Sequence, residues 1–236
     1  MGPLYQVVLK ALSLAPDSRL LDIGCASGIF CEQAGKAGAS VTGLDLCPAF
    51  LELARQRGPG LNFVHGDMVS LPFEDSSFDI VTGLNVFYYA SSPLRALREA
   101  CRVLKPRGRL VISSWGNPDR CDTGVVIRTL NALLPPSSRN LHNPFSFSNG
   151  GVLKALISKA GFTDMLQSEA LVSWTYPNEQ TALRAMLATG PAQHTIDQAG
   201  EFCVHEAIRA VLSPFRLPQG GYRIQNYFNY LLALKS

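Results

Sequence analysis

Apolar and polar positions alternate in two registers along the first half of the chain. Short apolar runs are separated by stretches whose apolar residues recur every three to four positions. Arg19 to Ile23 is a compact apolar run, predicted to be a strand, and it ends in Asp22-Ile23-Gly24. Ile29 to Ala37 follows as a helix closed by Gly38, and Val41 to Asp45 as a second strand. Pro48 opens a helix that runs to Arg57, where Gly58-Pro59-Gly60 stops it; proline near the first turn and glycine past the last is the usual asymmetry of a helix. Leu61 to His65 and Phe78 to Gly83 are the third and fourth strands. Pro93 opens a helix with Leu94, Leu97, Cys101 and Leu104 along one face, and Leu110 to Ser113 is a fifth strand.

Strands alternating with helices predict a parallel sheet covered on both faces. Such a sheet takes its ligands at the carboxyl ends of the strands, near the switch in strand order. Gly24, Asp45, Gly66-Asp67 and Asn85 all fall at such ends.

The second half is less regular. Residues 116–148 are rich in Pro, Asn and Ser, with one helical pattern from Val125 to Leu134. Gly151 to Ala160 reads as a helix ended by Gly161, and Gln167 to Tyr176 as extended chain. Asn178 to Ala188 and Gln193 to Leu212 read as helices, and the alternation from Tyr222 to Tyr230 as a last strand.

Composition narrows the function classes. With 47% hydrophobic and 17% charged residues, 236 residues can build one substantial core, so a single domain over 1–236 is expected. The formal net charge of +3 is too small for phosphate-driven binding, so no nucleic-acid partner is expected. The basic run Lys105-Pro106-Arg107-Gly108-Arg109 reads as a helix C-terminus, where cations suit the dipole, followed by a turn. No run of about 18 apolar residues predicts a membrane span. Met1 to Gln6 does not read as a secretory signal, and Pro3 and Gln6 fit a myristoylation motif poorly. The six cysteines form no C-x-x-C pair and no zinc-ligand spacing, so reduced thiols, no metal and a cytoplasmic location are expected.

The strongest chemical signal is Leu20-Leu21-Asp22-Ile23-Gly24-Cys25-Ala26-Ser27-Gly28, a buried strand running into a turn of very small residues. Small residues let backbone groups touch a ligand lying across the strand end. The turn is G-x-A-x-G, not the dinucleotide fingerprint G-x-G-x-x-G, and no Tyr-x-x-x-Lys pair is present; both count against an NAD-dependent oxidoreductase. Asp22 to Gly28 resembles the first motif of the class I S-adenosylmethionine methyltransferases, D-x-G-x-G-x-G, with Ala26 replacing the middle glycine. That exchange is tolerable if the backbone φ at Ala26 is negative.

Further segments carry the same resemblance. Asp45, in Val41-Thr42-Gly43-Leu44-Asp45-Leu46, stands where the family's acidic residue takes the ribose hydroxyls; the alternative is a helix cap before Pro48. His65-Gly66-Asp67-Met68 with Leu71-Pro72-Phe73 resembles G-D-x-x-x-L-P-F, which implies adenine contacts from Asp67, Met68 and Val69; the alternative is a solvated turn aspartate. Phe78 to Tyr89 resembles the fourth strand and its exit loop, which lies beside the methionine part of the cofactor. Arg98 to Leu110 resembles R-V-L-K-P-G-G-x-L. The likeness is strong over 19–115 and looser beyond, where Gly161-Phe162 and Gly221 to Phe228 resemble the small-molecule, ubiquinone/menaquinone-biosynthesis-like branch.

The resemblance implies a Rossmann-like α/β fold: a seven-stranded, mostly parallel sheet with its last strand antiparallel, helices on both faces, and helical lid segments at about 116–148 and 174–218. It implies S-adenosylmethionine as cofactor, contacted by Asp22, Gly24, Cys25, Ala26, Gly28, Asp45, Leu46, Asp67, Met68 and Asn85. The activity implied is methyl transfer to an O, N or C atom of a small molecule, by a monomer or homodimer. Asn85-Val86-Phe87-Tyr88 lacks the Pro-Pro of the branches that methylate adenine or glutamine nitrogen. Candidates for the acceptor pocket are Tyr88, Tyr89, Trp115, His142 and Trp174, with His142 or Tyr88 as candidate catalytic groups. His65, His194 and His205 read as structural or solvated. Displacement at a sulfonium needs alignment and exclusion of water more than a base, so the lack of an obvious base does not count against catalysis. A protein that binds the cofactor without turning it over is the other alternative.

Overall fold

The computed structural model describes residues 1–139 and 143–236. Five strands lie where the alternation of the first half puts them: β1 (Arg19–Ile23), β2 (Ser40–Asp45), β3 (Asn62–His65), β4 (Phe78–Leu84) and β5 (Leu104–Trp115). They are joined by α2 (Ile29–Lys36), α3 (Pro48–Arg57) and α4 (Pro93–Val103), preceded by α1 (Gly2–Leu12). The second half adds α5 (Asp122–Leu133), α6 (Gly150–Lys159), β6 (Phe162–Tyr176), α7 (Glu179–Leu187), α8 (Gly190–Ala199), α9 (Glu201–Leu212) and β7 (Tyr222–Lys235).

The sheet has seven strands in the order β3-β2-β1-β4-β5-β7-β6. It is mostly parallel, with the last strand antiparallel and helices around it: the Rossmann-like class I arrangement. The chain steps outward from β1 to β3, then returns to lay β4 on the other side of β1. That reversal leaves the carboxyl ends of β1, β2 and β4 side by side, where open α/β sheets hold their ligands. Leu20, Leu21, Ile23, Ile80 and Val81 are all buried, as strands covered on both faces require.

The chain divides into two compact units. The first comprises Met1–Ser114, Asn149–Ala170 and Phe228–Ser236. Within it α1, which the sequence reading passed over, buries Leu4, Val8 and Leu12 and sets the Tyr5 ring 5.5 Å from that of Phe30 on α2. Strand β5 begins at Leu104, not at Leu110, so the basic run lies in the irregular start of a strand instead of a helix end and turn. Arg107 there has φ 60°, and the pairing of β4 with β5 slips between Phe78 and Ile80. The bland reading of that cluster still suits its contacts: Lys105 Nζ lies 2.7 Å from Asp79, and the Arg109 guanidinium donates to the Leu12 carbonyl. Arg102 on α4 donates to Glu99, Asp75 and the carbonyls of Leu71 and Phe73, which pins the Leu71-Pro72-Phe73 segment.

The second unit comprises Trp115–Ser148 and Leu171–Tyr227. Helices α5, α7, α8 and α9 enclose a core of Val126, Ile127, Leu130, Leu183, Met186, Val204, Ile208 and Leu212. The single helix expected from Gln193 to Leu212 is two. Gly200, at φ 85°, ends α8 and starts α9, a conformation that residues with a Cβ rarely take. Among the described residues, no helix is long and apolar enough to cross a membrane.

Candidate cofactor site

Strands β1, β2, β3 and β4 bring their exit turns around one cavity of about 470 Å³ within the first unit. Ligand sites of small molecules fall in this range. Gly24 and Ala26 line it from the turn after β1, and Leu44, Asp45, Leu46 and Phe50 from β2 and the start of α3. Gly66, Asp67 and Met68 line it after β3; Leu84, Asn85, Val86, Tyr89, Ala90 and Ser91 after β4.

The turn after β1 is built on left-handed backbone. Gly24 has φ 68° and Gly28 φ 74°. Ala26 has φ 45°, so the condition of a negative φ is not met: the alanine adopts a left-handed conformation, as Gly24 and Gly28 do on either side. Such strain persists where surrounding contacts over-determine it. Here the Ala26 N–H donates to Asp45 Oδ2 at 2.8 Å. The Gly24 and Cys25 N–H groups both donate to the Leu44 carbonyl, at 2.7 and 3.0 Å.

The two glycines serve different ends. A Cβ on Gly24 would lie 2.2 Å from Val86 Cγ2, so its absence lets the turns after β1 and β4 meet beside the cavity. Gly28 does not line the cavity, and a Cβ there would lie 2.9 Å from that of Ala54. Its lack of side chain serves the packing of α2 against α3.

Asp22 and Cys25 are also absent from the cavity wall. The Asp22 carboxylate is buried beneath the turn, accepting from Thr82 Oγ1 at 2.7 Å and from Cys31 Sγ at 3.5 Å. Burial pushes its carboxyl up to about 7, against those two hydrogen bonds, which pull it down. Asp45, one strand over, keeps its carboxylate at the cavity, with Oδ1 accepting from the Cys47 N–H at 2.8 Å. The N-cap of α3 is Cys47, so Asp45 is not the cap residue that the alternative reading required. Asp67 Oδ1 accepts from the Val69 N–H at 3.0 Å, which makes it a turn aspartate that also lines the cavity. Val69 is not in the wall. His65 Nε2 bonds the Leu46 carbonyl at 3.0 Å and so fixes a wall residue, the structural role read from its place in the sequence.

Asn85 takes φ 60°, and its N–H donates to the Ser113 carbonyl at 3.0 Å. Its Oδ1 is buried and has no hydrogen-bond partner among the described residues. A buried acceptor without a donor costs about 1–3 kcal/mol, so an unmatched one in a cavity wall marks a place for a ligand donor.

Of the acceptor candidates, Tyr89 lines the cavity, and Tyr88 sets its ring 4.5 Å from that of Tyr89. Trp115 and Trp174 pack in the second unit, with ring centroids 5.9 Å apart and Trp115 5.2 Å from Phe145. His142 lies outside the described residues. Phe50 and Val86 were not singled out from sequence; Phe50 carried the signal of an apolar residue in the first turn after Asp45, left 46% exposed beside a cavity.

Comparison with known proteins decides the family. Residues 21–112 match the methyltransferase domain model. A demethylmenaquinone methyltransferase of Streptomyces griseus is 30% identical over 174 residues, covering 67% of this chain and 74% of that protein. The chain belongs to this methyltransferase family. The demethylmenaquinone methyltransferase of Renibacterium salmoninarum is 34% identical over 140 residues, which is 57% of this chain and 59% of that one. The chain thus matches little more than half the length of that relative. Among solved structures, YcgJ of Bacillus subtilis superposes with a TM-score of 0.65 over 98% of this chain and 97% of its own at 19% identity, a likeness of fold.

Proposed function

We propose that the chain is an S-adenosylmethionine-dependent methyltransferase with a small-molecule acceptor. The observation that carries this reading is the make-up of the cavity wall. Two carboxylates, Asp45 and Asp67, stand at successive strand ends among apolar Leu46, Phe50 and Met68, with the unpartnered Asn85 Oδ1 beyond. A nucleoside with a cationic amino-acid tail needs this set. Asp45 suits the ribose hydroxyls, Asp67 and the Met68 backbone suit the adenine edge, the apolar side chains suit its faces, and Asn85 suits an ammonium donor. Family membership supports the same cofactor.

When bound, the cofactor supplies a methyl group on a sulfonium, a strong electrophile with a neutral leaving group. What the residues of the chain must do is hold the donor and the acceptor in line and keep water away. Tyr89 is the wall residue we place nearest the acceptor, with Tyr88 supporting its ring. A cytoplasmic location belongs to the same reading, as does the absence of a nucleic-acid partner, which the small net charge supports. The test is incubation with isotope-labelled S-adenosylmethionine and fractionated acceptors. Methyl gain in the small-molecule fraction supports the proposal; labelling of RNA or DNA alone contradicts it.

A further inference from the structure

Asp45 is already engaged within the protein itself. Its Oδ2 accepts from the Ala26 N–H at 2.8 Å and its Oδ1 from the Cys47 N–H at 2.8 Å. One carboxylate therefore ties the turn after β1 to the turn after β2, and Ala26, Asp45 and the neighbouring Leu46 all line the cavity. The tied residue Ala26 is the strained one, at φ 45°. A carboxylate has about four lone-pair sites, so after these two bonds each oxygen can still accept one more.

We propose that Asp45 is a positioning residue that clamps Ala26 in its left-handed conformation and so shapes the cavity rim before the cofactor arrives. The proposal rests on reading the cavity as the S-adenosylmethionine site and adds a second task to the ribose contact. The chemistry of the partners separates the two tasks. Ribose hydroxyls donate and accept, so an amide in place of the carboxylate can satisfy a diol with its oxygen and its NH2 together. Backbone N–H groups only donate. An amide at position 45 offers one acceptor oxygen to two N–H donors, and whichever way it turns its NH2 faces a donor. Asp45→Asn is mild if the residue serves the ribose alone and severe if it also serves as the clamp.

The experiment compares the parent with Asp45→Asn and Asp45→Ala, first without ligand and then with S-adenosylhomocysteine. Amide hydrogen exchange in the ligand-free proteins reads the clamp directly. The amides of residues 26 and 47 should exchange at least about ten-fold faster in Asp45→Asn than in the parent. Calorimetry should then show Asp45→Asn losing affinity within about three-fold of the loss in Asp45→Ala. Ala26→Gly provides the independent check, because glycine reaches φ 45° without the clamp. Added to Asp45→Ala it should recover at least about three-fold of the lost affinity, while in the parent background it should not tighten binding. Parent-like protection of both amides in Asp45→Asn, or a rescue equal in both backgrounds, overturns the clamp. Failure of the parent to bind S-adenosylhomocysteine sinks the cofactor reading instead, and the ligand-free exchange rates still decide the clamp.

Discussion

Asp22 and Asp45 end, or nearly end, neighbouring parallel strands, and both are aspartates beside a turn of small residues. The fold treats them in opposite ways. Asp22 points into the core, 3% exposed, and meets a hydroxyl and a thiol. Asp45 stays at the cavity and meets two backbone N–H groups. The difference is one of position relative to the strand end. Asp22 comes before the last residue of β1, between covered neighbours, whereas Asp45 is the last residue of β2. A carboxylate at the end of a covered strand can serve a ligand; one step back inside the sheet it serves the turn from below.

Breaking the member at the cavity should cost most. Asp45→Ala is expected to weaken S-adenosylhomocysteine by roughly 10- to 1,000-fold, from the loss of charge-assisted hydrogen bonds of about 1.5–3 kcal/mol each. Calorimetry measures this, with circular dichroism to show that the fold survives; parent affinity in a folded variant would remove Asp45 from the site. The glycine that closes the turn should act on stability. Gly28→Val adds a side chain at φ 74° whose Cβ lies 2.9 Å from that of Ala54, and a loss of roughly 2–4 kcal/mol in denaturant unfolding is expected from strain plus overpacking. If that variant unfolds like the parent but fails to bind cofactor, Gly28 belongs to the ligand side of the comparison after all.

The buried member should reveal itself through pH. The folded Asp22 carboxyl is raised to about 7 from an ordinary value of 3.8. Between those values the folded state keeps a proton that the unfolded state has released. Stability is therefore fully present below the ordinary value and is lost as pH rises through the folded one, by at most about 1.4 kcal/mol per pH unit. Asp22→Asn cannot titrate and should flatten that decline in unfolding curves measured from pH 4 to pH 8. An unchanged slope would mean that another group carries it. The smallest effect should come from Ala26→Gly, a gain of about 0.5–1 kcal/mol from relief of positive φ, offset by the greater freedom of glycine when unfolded. Thermal unfolding of the ligand-free variant checks it, and a lower melting temperature would show that the left-handed alanine is not strained.

The sheet and its ligand edge were readable because short apolar strands, turns of small residues and proline-started helices each leave a local mark. Asp45, Asp67 and Asn85 were placed by counting to the ends of those strands, and all three line the cavity. Asp22, Cys25 and Gly28 stand off the cavity wall, because a motif names a segment without saying which side chains turn outward. In that segment backbone geometry decides, and Ala26 shows that identity alone does not give the sign of φ. The second unit was harder to read. Its helices pack on one another around Leu130, Met186 and Ile208 instead of alternating with strands. Trp115 and Trp174 pack edge-on against each other, as tryptophans readily do, and Trp174 also lines a cavity of the second unit with Tyr176 and Met186.

The account turns on what fills the cavity walled by Asp45, Asp67 and Asn85, and a calorimetric titration of the unmodified protein with S-adenosylhomocysteine and, separately, with NAD tests it most directly. The account predicts saturable binding of S-adenosylhomocysteine with one molecule per chain and no measurable heat from NAD. Binding of NAD with none of S-adenosylhomocysteine would contradict it.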